Sequence, residues 1–380
     1  MRVTIDYTAA IAQGAGIGRY TRSLVAALAR VDSDALYTLF SVERPTAERG
    51  FPAAHDAPNM RPRIWPVGVR YANAIWQRAR LPLPVELVAG RANVFHGPDF
   101  TLPLALFAHR VVTIHDLAFL THPQYAFPKL AAYLGRVVPR TVRAADHIIA
   151  VSQCTADDLA QRLGVAPEKI SVIPIGVDPG VRRVEDQARI MELETRYGLT
   201  HPFILAVSTI EPRKNYEGLI AAFAQARQSP DGPRMLVIAG RKGWLYDGVF
   251  EAVRQFGVQD SVRFLDYVPD EELPVLYTAA DALAMPSFYE GFGIPVIEAM
   301  ACGTSVICST GGALPEVAGD AALTVAPEDR DGLANALVRV VSDSALREEL
   351  CRKGYARAQR YSWDDAARAH VEVYRRMAKR

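Results

Sequence analysis

Cysteine is scarce in this sequence. Its 380 residues hold only Cys154, Cys302, Cys308 and Cys351, and no two of them have C-x-x-C spacing. Nothing reads as a zinc site or a disulfide framework, and a reducing cytoplasm is the expected compartment. No uncharged apolar run has the length needed to span a bilayer. The opening "MRVTIDY" reads directly as a strand, without the apolar stretch of a secretory leader. Low-complexity tracts and short-period repeats are missing. What remains is globular composition, 50% hydrophobic and 22% charged, which argues against extensive disorder.

Net charge is also small, but it is unevenly placed. Residues 1–176 carry an excess of six positive charges and the remainder an excess of five negative ones. Within residues 60–143, eleven basic side chains face only Glu86, Asp99 and Asp116. That bias suits an anionic surface or ligand. The basic, aromatic "VRYANAIWQRARLPLPVEL" and the "FPKLAAYLGRVVPRTVR" segment can lie against anionic lipid, or their cations can simply solvate a domain face.

The length exceeds one core, since single cores split at about 250–300 residues. Strand-like "MRVTIDY", "VVTIHDL", "HIIAVS" and "KISVIPIG" alternate with helical patterns. The series restarts with "FILAVST", "RMLVIAG", "VRFLDYV", "ALAMPS" and "TSVICS". This alternation predicts an α/β fold of two doubly wound parallel-sheet domains, with a linker near residues 176–185. "DGLANALVRVVSDSALREELCRKG" and the closing "YSWDDAARAHVEVYRRMAKR" read as helices. Tandem domains of this kind bind ligands in a cleft at the carboxyl ends of their strands.

The candidate chemistry follows strands. After "ALAMPS" comes "FYEGFGIPVIEAMACG", with Glu290 in a loop and Glu298 one turn into a helix. Two acceptor-only carboxylates at that separation can grip two polyhydroxyl groups. The amides near Gly293 and Ile294 suit anionic oxygens, and Pro295 and Gly303 bound the helix. The alternative is a solvated Glu290 and a locally bonded Glu298. "VSTIEPRKNYEGLI" sets Arg213 and Lys214 in the next such loop, a clamp for a diphosphate or an exposed basic pair. "GAGIGRY" places Gly14, Gly16 and Gly18 before a helix, as G-x-G-x-G rather than the dinucleotide G-x-G-x-x-G. "VVTIHDLAF" puts His115 and Asp116 at a strand end, where His115 can donate to a substrate oxygen. His96 in "NVFHGPDF" ranks lower. Gly311, Gly312 and Glu316 in "GGALPEV" read as a turn with a capping acid.

Together these residues resemble the retaining nucleotide-sugar glycosyltransferases of glycosyltransferase family 4, with the GT-B fold. The resemblance spans nearly the whole chain. It rests on E-x7-E from Glu290 to Glu298, with "GIGRY", "HDL", "VSQCTADDL", "VIPIGVD" and "EPRKN" in the family's order. It implies an N-terminal acceptor-side domain of residues 1–176 plus 363–380, and a nucleotide-sugar domain of residues 185–362. It also implies that Glu298 holds the ribose and Glu290 a hydroxyl of the transferred sugar. The amides of Phe292, Gly293 and Ile294 would meet sugar or phosphate. Arg213 and Lys214 would neutralise the diphosphate, Gly16 would close from the first domain, and His115 would touch the sugar. Val268 and Asp270 match the loop that meets the base. Where many members carry an arginine after the first strand of the second domain, this chain has Ser208–Thr209, so the clamp rests on Arg213 and Lys214. The implied reaction needs no metal or cofactor. "HGPDFTLP" and "TIHDLAFLTHPQYAF" look most like bacterial mannosyltransferases of O-antigen or exopolysaccharide synthesis. A GDP-mannose donor and a polyprenyl-diphosphate-linked saccharide acceptor at the inner membrane face are expected, with UDP- or dTDP-sugars as alternatives. No nucleic acid partner is implied. The rivals are a nicotinamide-dependent oxidoreductase, disfavoured by the glycine spacing, and a non-catalytic nucleotide-sugar binder.

Overall fold

The computed structural model describes residues 1–14, 16–47, 49–79 and 81–380. They form two compact units. The first takes Met1–Leu117, Lys129–Gly176 and Ser362–Arg380; the second takes Ala118–Pro128 and Val177–Tyr361.

Seven strands build the first unit: β1 (Arg2–Asp6), β2 (Leu36–Ser41), β3 (Met60–Ile64), β4 (Val94–Gly97), β5 (His109–Ile114), β6 (His147–Ala150) and β7 (Ile170–Val172). Their spatial order is β3-β2-β1-β4-β5-β6-β7, and every pairing is parallel. The sequence reading finds β1, β5, β6 and β7 but not the other three. β3 is "MRPRI", an edge strand with only Met60 buried, where proline and arginine are tolerated because one side goes unpaired. β4 is four residues long and fully buried, with His96 among them.

The second unit has β8 (Phe203–Val207), β9 (Met235–Ala239), β10 (Val262–Asp266), β11 (Ala282–Met285), β12 (Ser305–Ser309) and β13 (Leu323–Val325). Their order is β10-β9-β8-β11-β12-β13, again all parallel. β9, β11 and β12 are buried at every position, as a sheet covered on both faces requires. One face packs Leu219, Phe223, Leu337 and Val340 from the helices Tyr216–Ala226 and Arg330–Ser342. The helical stretch expected over residues 331–354 is two helices. It breaks at Asp343, whose carboxylate accepts from the Leu346 amide and starts a new helix, Ser344–Ala358, as an N-cap does.

Two segments leave their sequence neighbours. The last helix, Trp363–Ala378, packs in the first unit against Ile17–Val31. A Cβ on Gly176 would overlap the Trp363 backbone, so only glycine fits there. Residues 118–128, expected in the N-terminal domain, group instead with the second unit. The Tyr125 ring stacks on Phe288 at 4.4 Å, His122 packs on Tyr289 at 5.0 Å, and Trp244 Nε1 donates to the Tyr125 carbonyl.

Each sheet reverses its strand order once, between β1 and β4 and between β8 and β11. At such a switch point the loops leaving the carboxyl ends diverge and open a binding position.

Candidate active site

The loops after β8 and β11 flank the switch point of the second unit, and they are fastened to each other. Arg213 and Lys214 sit on one tight turn, Pro212–Lys214, closed by Asn215 in the left-handed region at φ 56°. Asparagine tolerates that conformation better than most side chains. Its buried Nδ2 donates to the carbonyls of Pro286 (3.2 Å) and Pro327 (2.7 Å). The Phe288 amide donates to the Arg213 carbonyl at 2.9 Å. Residues far apart in sequence thus hold one backbone frame.

Within it, Glu290 receives both cations. Arg213 Nη1 donates to Glu290 Oε2 at 2.9 Å and to the Tyr289 carbonyl at 2.7 Å, while Lys214 Nζ donates to Glu290 Oε1 at 2.6 Å. Arg213 Nη2 donates to the buried Glu211 Oε1 at 2.8 Å. Burial would raise the Glu290 carboxyl, but Arg213 and then Lys214 outweigh it and hold it at about 2. Glu290 is therefore an anion at neutral pH and cannot serve as an acid. Glu211, missed by the sequence reading, completes a set of two cations and two carboxylates with no net charge. An incoming polyanion can compete with Glu290 for Lys214 and Arg213, because opposite charges held in low dielectric interact strongly.

Glu298 is buried on the helix Ile294–Ala301 and accepts from Tyr277 Oη at 3.0 Å. Gly293 precedes the helix at φ 101°, and a Cβ there would press on Leu314. Phe292 is buried with its ring edge-on to Tyr361 at 5.5 Å, which leaves its backbone as the part able to meet a ligand. Val268 is buried and Asp270 exposed in the loop after β10. Gly311 and Gly312, expected as a turn with a capping Glu316, also have a packing cause. Cβ atoms on the two glycines would overlap the backbone of Ser287–Glu290. They exist to let the Glu290 loop lie flat against the next one, and the Ala313 amide donates to the Glu290 carbonyl at 2.8 Å.

In the first unit, Gly16 lies at φ 58° immediately before the helix Ile17–Val31. Gly18 has a packing cause, since a Cβ there would overlap the carbonyl of Gln13. Arg22 gathers the carbonyls of Ala10, Gln13 and Gly14, tying the glycine loop to its own helix. His115 corrects the reading of it as a donor. Its Nε2 lies 2.8 Å from the Pro98 carbonyl and must donate there. Burial lowers its pKa, so the neutral ring has only the Nδ1 lone pair left, an acceptor. Asp6 ends β1 and Asp99 follows β4, two acids that the sequence pattern does not single out for chemistry. Burial and then Asp6 push Asp99 up to about 6.

His96 belongs to a buried chain of neutral groups with one consistent proton order. His370 Nδ1 faces the Ala366 carbonyl and must donate. Its Nε2 then accepts from Tyr20, Tyr20 from Thr113, Thr113 from His96 Nε2, and His96 Nδ1 from Tyr374. Burial holds His96 well below its ordinary range and His370 at about 4. Nothing in this chain is left over for a ligand.

Comparison with known proteins agrees on one assignment. Residues 194–357 match the model of glycosyl transferases group 1, and residues 14–181 that of glycosyltransferase family 4. O-antigen chain mannosyltransferase B of Escherichia coli is 31% identical over 283 residues, 74% of either chain. D-inositol 3-phosphate glycosyltransferase of Segniliparus rotundus is 32% identical over 274 residues, 70% of this chain and 60% of that one. Among solved structures, sucrose-phosphate synthase from Thermosynechococcus elongatus superposes with a TM-score of 0.76 at 21% identity, over 99% of both chains.

Proposed function

The chain belongs to the family 4 glycosyltransferases of GT-B architecture, and on that footing we propose that it transfers mannose from GDP-mannose to a saccharide acceptor linked to a polyprenyl diphosphate, with retention of configuration. The observation that carries the donor half is the buried Arg213–Lys214–Glu290 cluster at the carboxyl ends of β8 and β11. The relatives that act on mannose support the choice of sugar.

In this reading the donor diphosphate takes over Lys214 and shares Arg213, which releases Glu290 to accept from a sugar hydroxyl. Glu298 holds the ribose with Tyr277 beside it, and the loop of Val268 and Asp270 meets the base. The amides of Phe292, Gly293 and Ile294 meet sugar or phosphate oxygens at the helix start. Expelling a nucleoside diphosphate concentrates negative charge on the leaving oxygen, and fixed cations lower that barrier by being in place beforehand. Retention is proposed to proceed without a covalent intermediate. Glu290, still beside Arg213 and accepting from a sugar hydroxyl, is committed to binding, so the acceptor oxygen attacks on the face the diphosphate leaves, and that phosphate takes its proton. His115 is proposed to accept a hydroxyl proton through Nδ1, and Gly16 to bring its amide to the donor. The reaction is proposed to run without a metal, at the inner face of the plasma membrane.

Thermal unfolding with GDP, UDP, dTDP, GDP-mannose, UDP-glucose and NAD tests the donor. A ligand at a hundred times its dissociation constant stabilises by about 2.7 kcal/mol. Selective stabilisation by GDP and GDP-mannose, lost in Lys214→Ala, is the expected result. A response confined to UDP or dTDP compounds would discard GDP-mannose and keep the fold's donor class. Donor binding without turnover on any lipid-linked saccharide would indicate a nucleotide-sugar binder. Transfer that persists in EDTA, with an axial product from an axial donor by NMR, checks the metal-free retaining course.

A further inference from the structure

The first unit holds large apolar side chains out in water. Leu87, Leu106 and Phe107 are 68%, 62% and 62% exposed, with Leu81 and Leu104 also exposed. They lie on two segments tied side by side, since the Val85 amide donates to the Leu104 carbonyl at 2.8 Å and Gln77 Nε2 to the Leu102 carbonyl at 2.9 Å. The turn of Leu106 and Phe107 is built rather than loose. Buried Glu86 receives the amides of Leu106, Phe107 and Ala108 on Oε1, at 2.9, 2.9 and 3.2 Å. Three amides on one carboxylate oxygen fix the backbone, and with it the outward direction of both side chains.

Beside this turn runs an open groove of about 470 Å³, lined by Trp76, Leu81, Leu104 and Val137 and edged by Arg140 and Arg143. Both arginines are exposed on the helix Pro128–Ala144. Neither has an acidic partner among the described residues. Arg91 lies over the Phe107 ring at 4.6 Å. Contiguous exposed apolar groups rimmed by unpaired cations are unusual on a surface that meets only water. A second copy of this chain would set the same cations against each other across a two-fold contact.

We propose that this face docks on an anionic bilayer, with Leu87, Leu106 and Phe107 entering the headgroup boundary and Arg140 and Arg143 meeting lipid phosphates. Apolar burial supplies depth and the arginines supply preference for negative lipid. Arg110, which also lines the groove, stands near the amino end of β5. His115 follows its carboxyl end, about 17 Å further along at strand rise. Docking here leaves the strand carboxyl ends of this unit facing away from lipid. The inference concerns where the transferase works and does not depend on its donor.

The test is flotation of the full chain with vesicles of phosphatidylcholine alone or mixed with phosphatidylglycerol. We expect binding to the mixed vesicles only, weakened by salt. Arg140→Gln with Arg143→Gln should weaken it roughly thirtyfold, as for two basic side chains near an anionic surface. Leu106→Ser with Phe107→Ser should abolish it at an unchanged melting temperature. No flotation, equal flotation on neutral vesicles, or full binding by the serine variant overturns the proposal. So does light scattering in which the serine variant merely splits a dimer. These vesicles contain no saccharide or nucleotide, so failure here leaves the transferase reading to stand or fall on its own thermal assay.

Discussion

The second unit centres its polar interior on charges, and the first unit on neutral rings and hydroxyls. Glu211, Arg213, Lys214 and Glu290 balance one another as ions. Tyr374, His96, Thr113, Tyr20 and His370 satisfy one another as dipoles, each proton assigned by the carbonyl at the end of the chain. The difference separates a cluster that can exchange a partner from one that cannot. An ion pair can trade a carboxylate for a phosphate and keep its charge balance. A one-way chain of hydrogen bonds loses a matched donor whenever anything enters it. Buried polarity is therefore not by itself the mark of a site; exchangeable polarity is.

The largest break should come from Arg213→Met. It leaves Glu211 unpaired and Glu290 with Lys214 alone, and removing one partner of a buried pair costs about 3–5 kcal/mol. Urea unfolding followed by hydrogen exchange in residues 203–325 should register it. Lys214→Ala keeps Arg213 between its two acids and should spare most stability. Its effect falls on transfer, a decrease of roughly 10²–10³-fold in kcat, the scale for losing one preorganised stabiliser of developing charge.

Acid sharpens the comparison. His370 is neutral when folded, and its pKa lies near 4 against an ordinary 6.5. The unfolded chain thus binds the extra proton first, so its contribution is complete above pH 6.5 and fades as pH falls to 4, by on the order of 3 kcal/mol. Glu290, held at about 2 against 4.5, is shifted in the same direction but over a lower pH window. Its contribution is complete above pH 4.5 and lost only as pH falls toward 2. Exchange at pH 5 should find the first unit loosened while the charged cluster still holds; simultaneous loosening of both would contradict the contrast. Tyr374→Phe, which strips His96 Nδ1 of its donor, should cost about 1–3 kcal/mol in the first unit and nothing in the second. Smallest is Gly16→Ala, about 1–2 kcal/mol for a Cβ at positive φ, since open space surrounds that position.

Much of this was legible because loops at strand ends in a parallel sheet carry few residues, and theirs are acids, cations and glycines. Glu290, Glu298, Arg213 and Lys214 stand out that way, and the order of the motifs gave the family. The partners were not legible. That Glu290 would be shared by Arg213 and Lys214, some 76 residues away in sequence, is decided by β8 and β11 becoming neighbours. Asn215 looks like any loop asparagine until Pro286 and Pro327 close on it. His96 and His115 share a sequence pattern, a histidine at a strand end, and differ only in what surrounds the ring. The short edge strand "MRPRI" carries too little apolar pattern to announce itself, and residues 118–128 join the other unit through ring contacts that no local pattern encodes.

The last helix has a consequence for how the chain is made. Synthesis runs from the amino end, and domains generally fold as units as they emerge. Every residue of the second unit, Ala118–Pro128 and Val177–Tyr361, has been joined before Ser362–Arg380 is added. The first unit starts earliest yet waits longest. Until Trp363–Ala378 arrives, Tyr20 has no His370, His96 has no Tyr374, and the helix Ile17–Val31 has a bare apolar face. The second unit should thus be able to fold without this helix, and a released chain truncated just short of Trp363 should show protease cutting confined to the first unit.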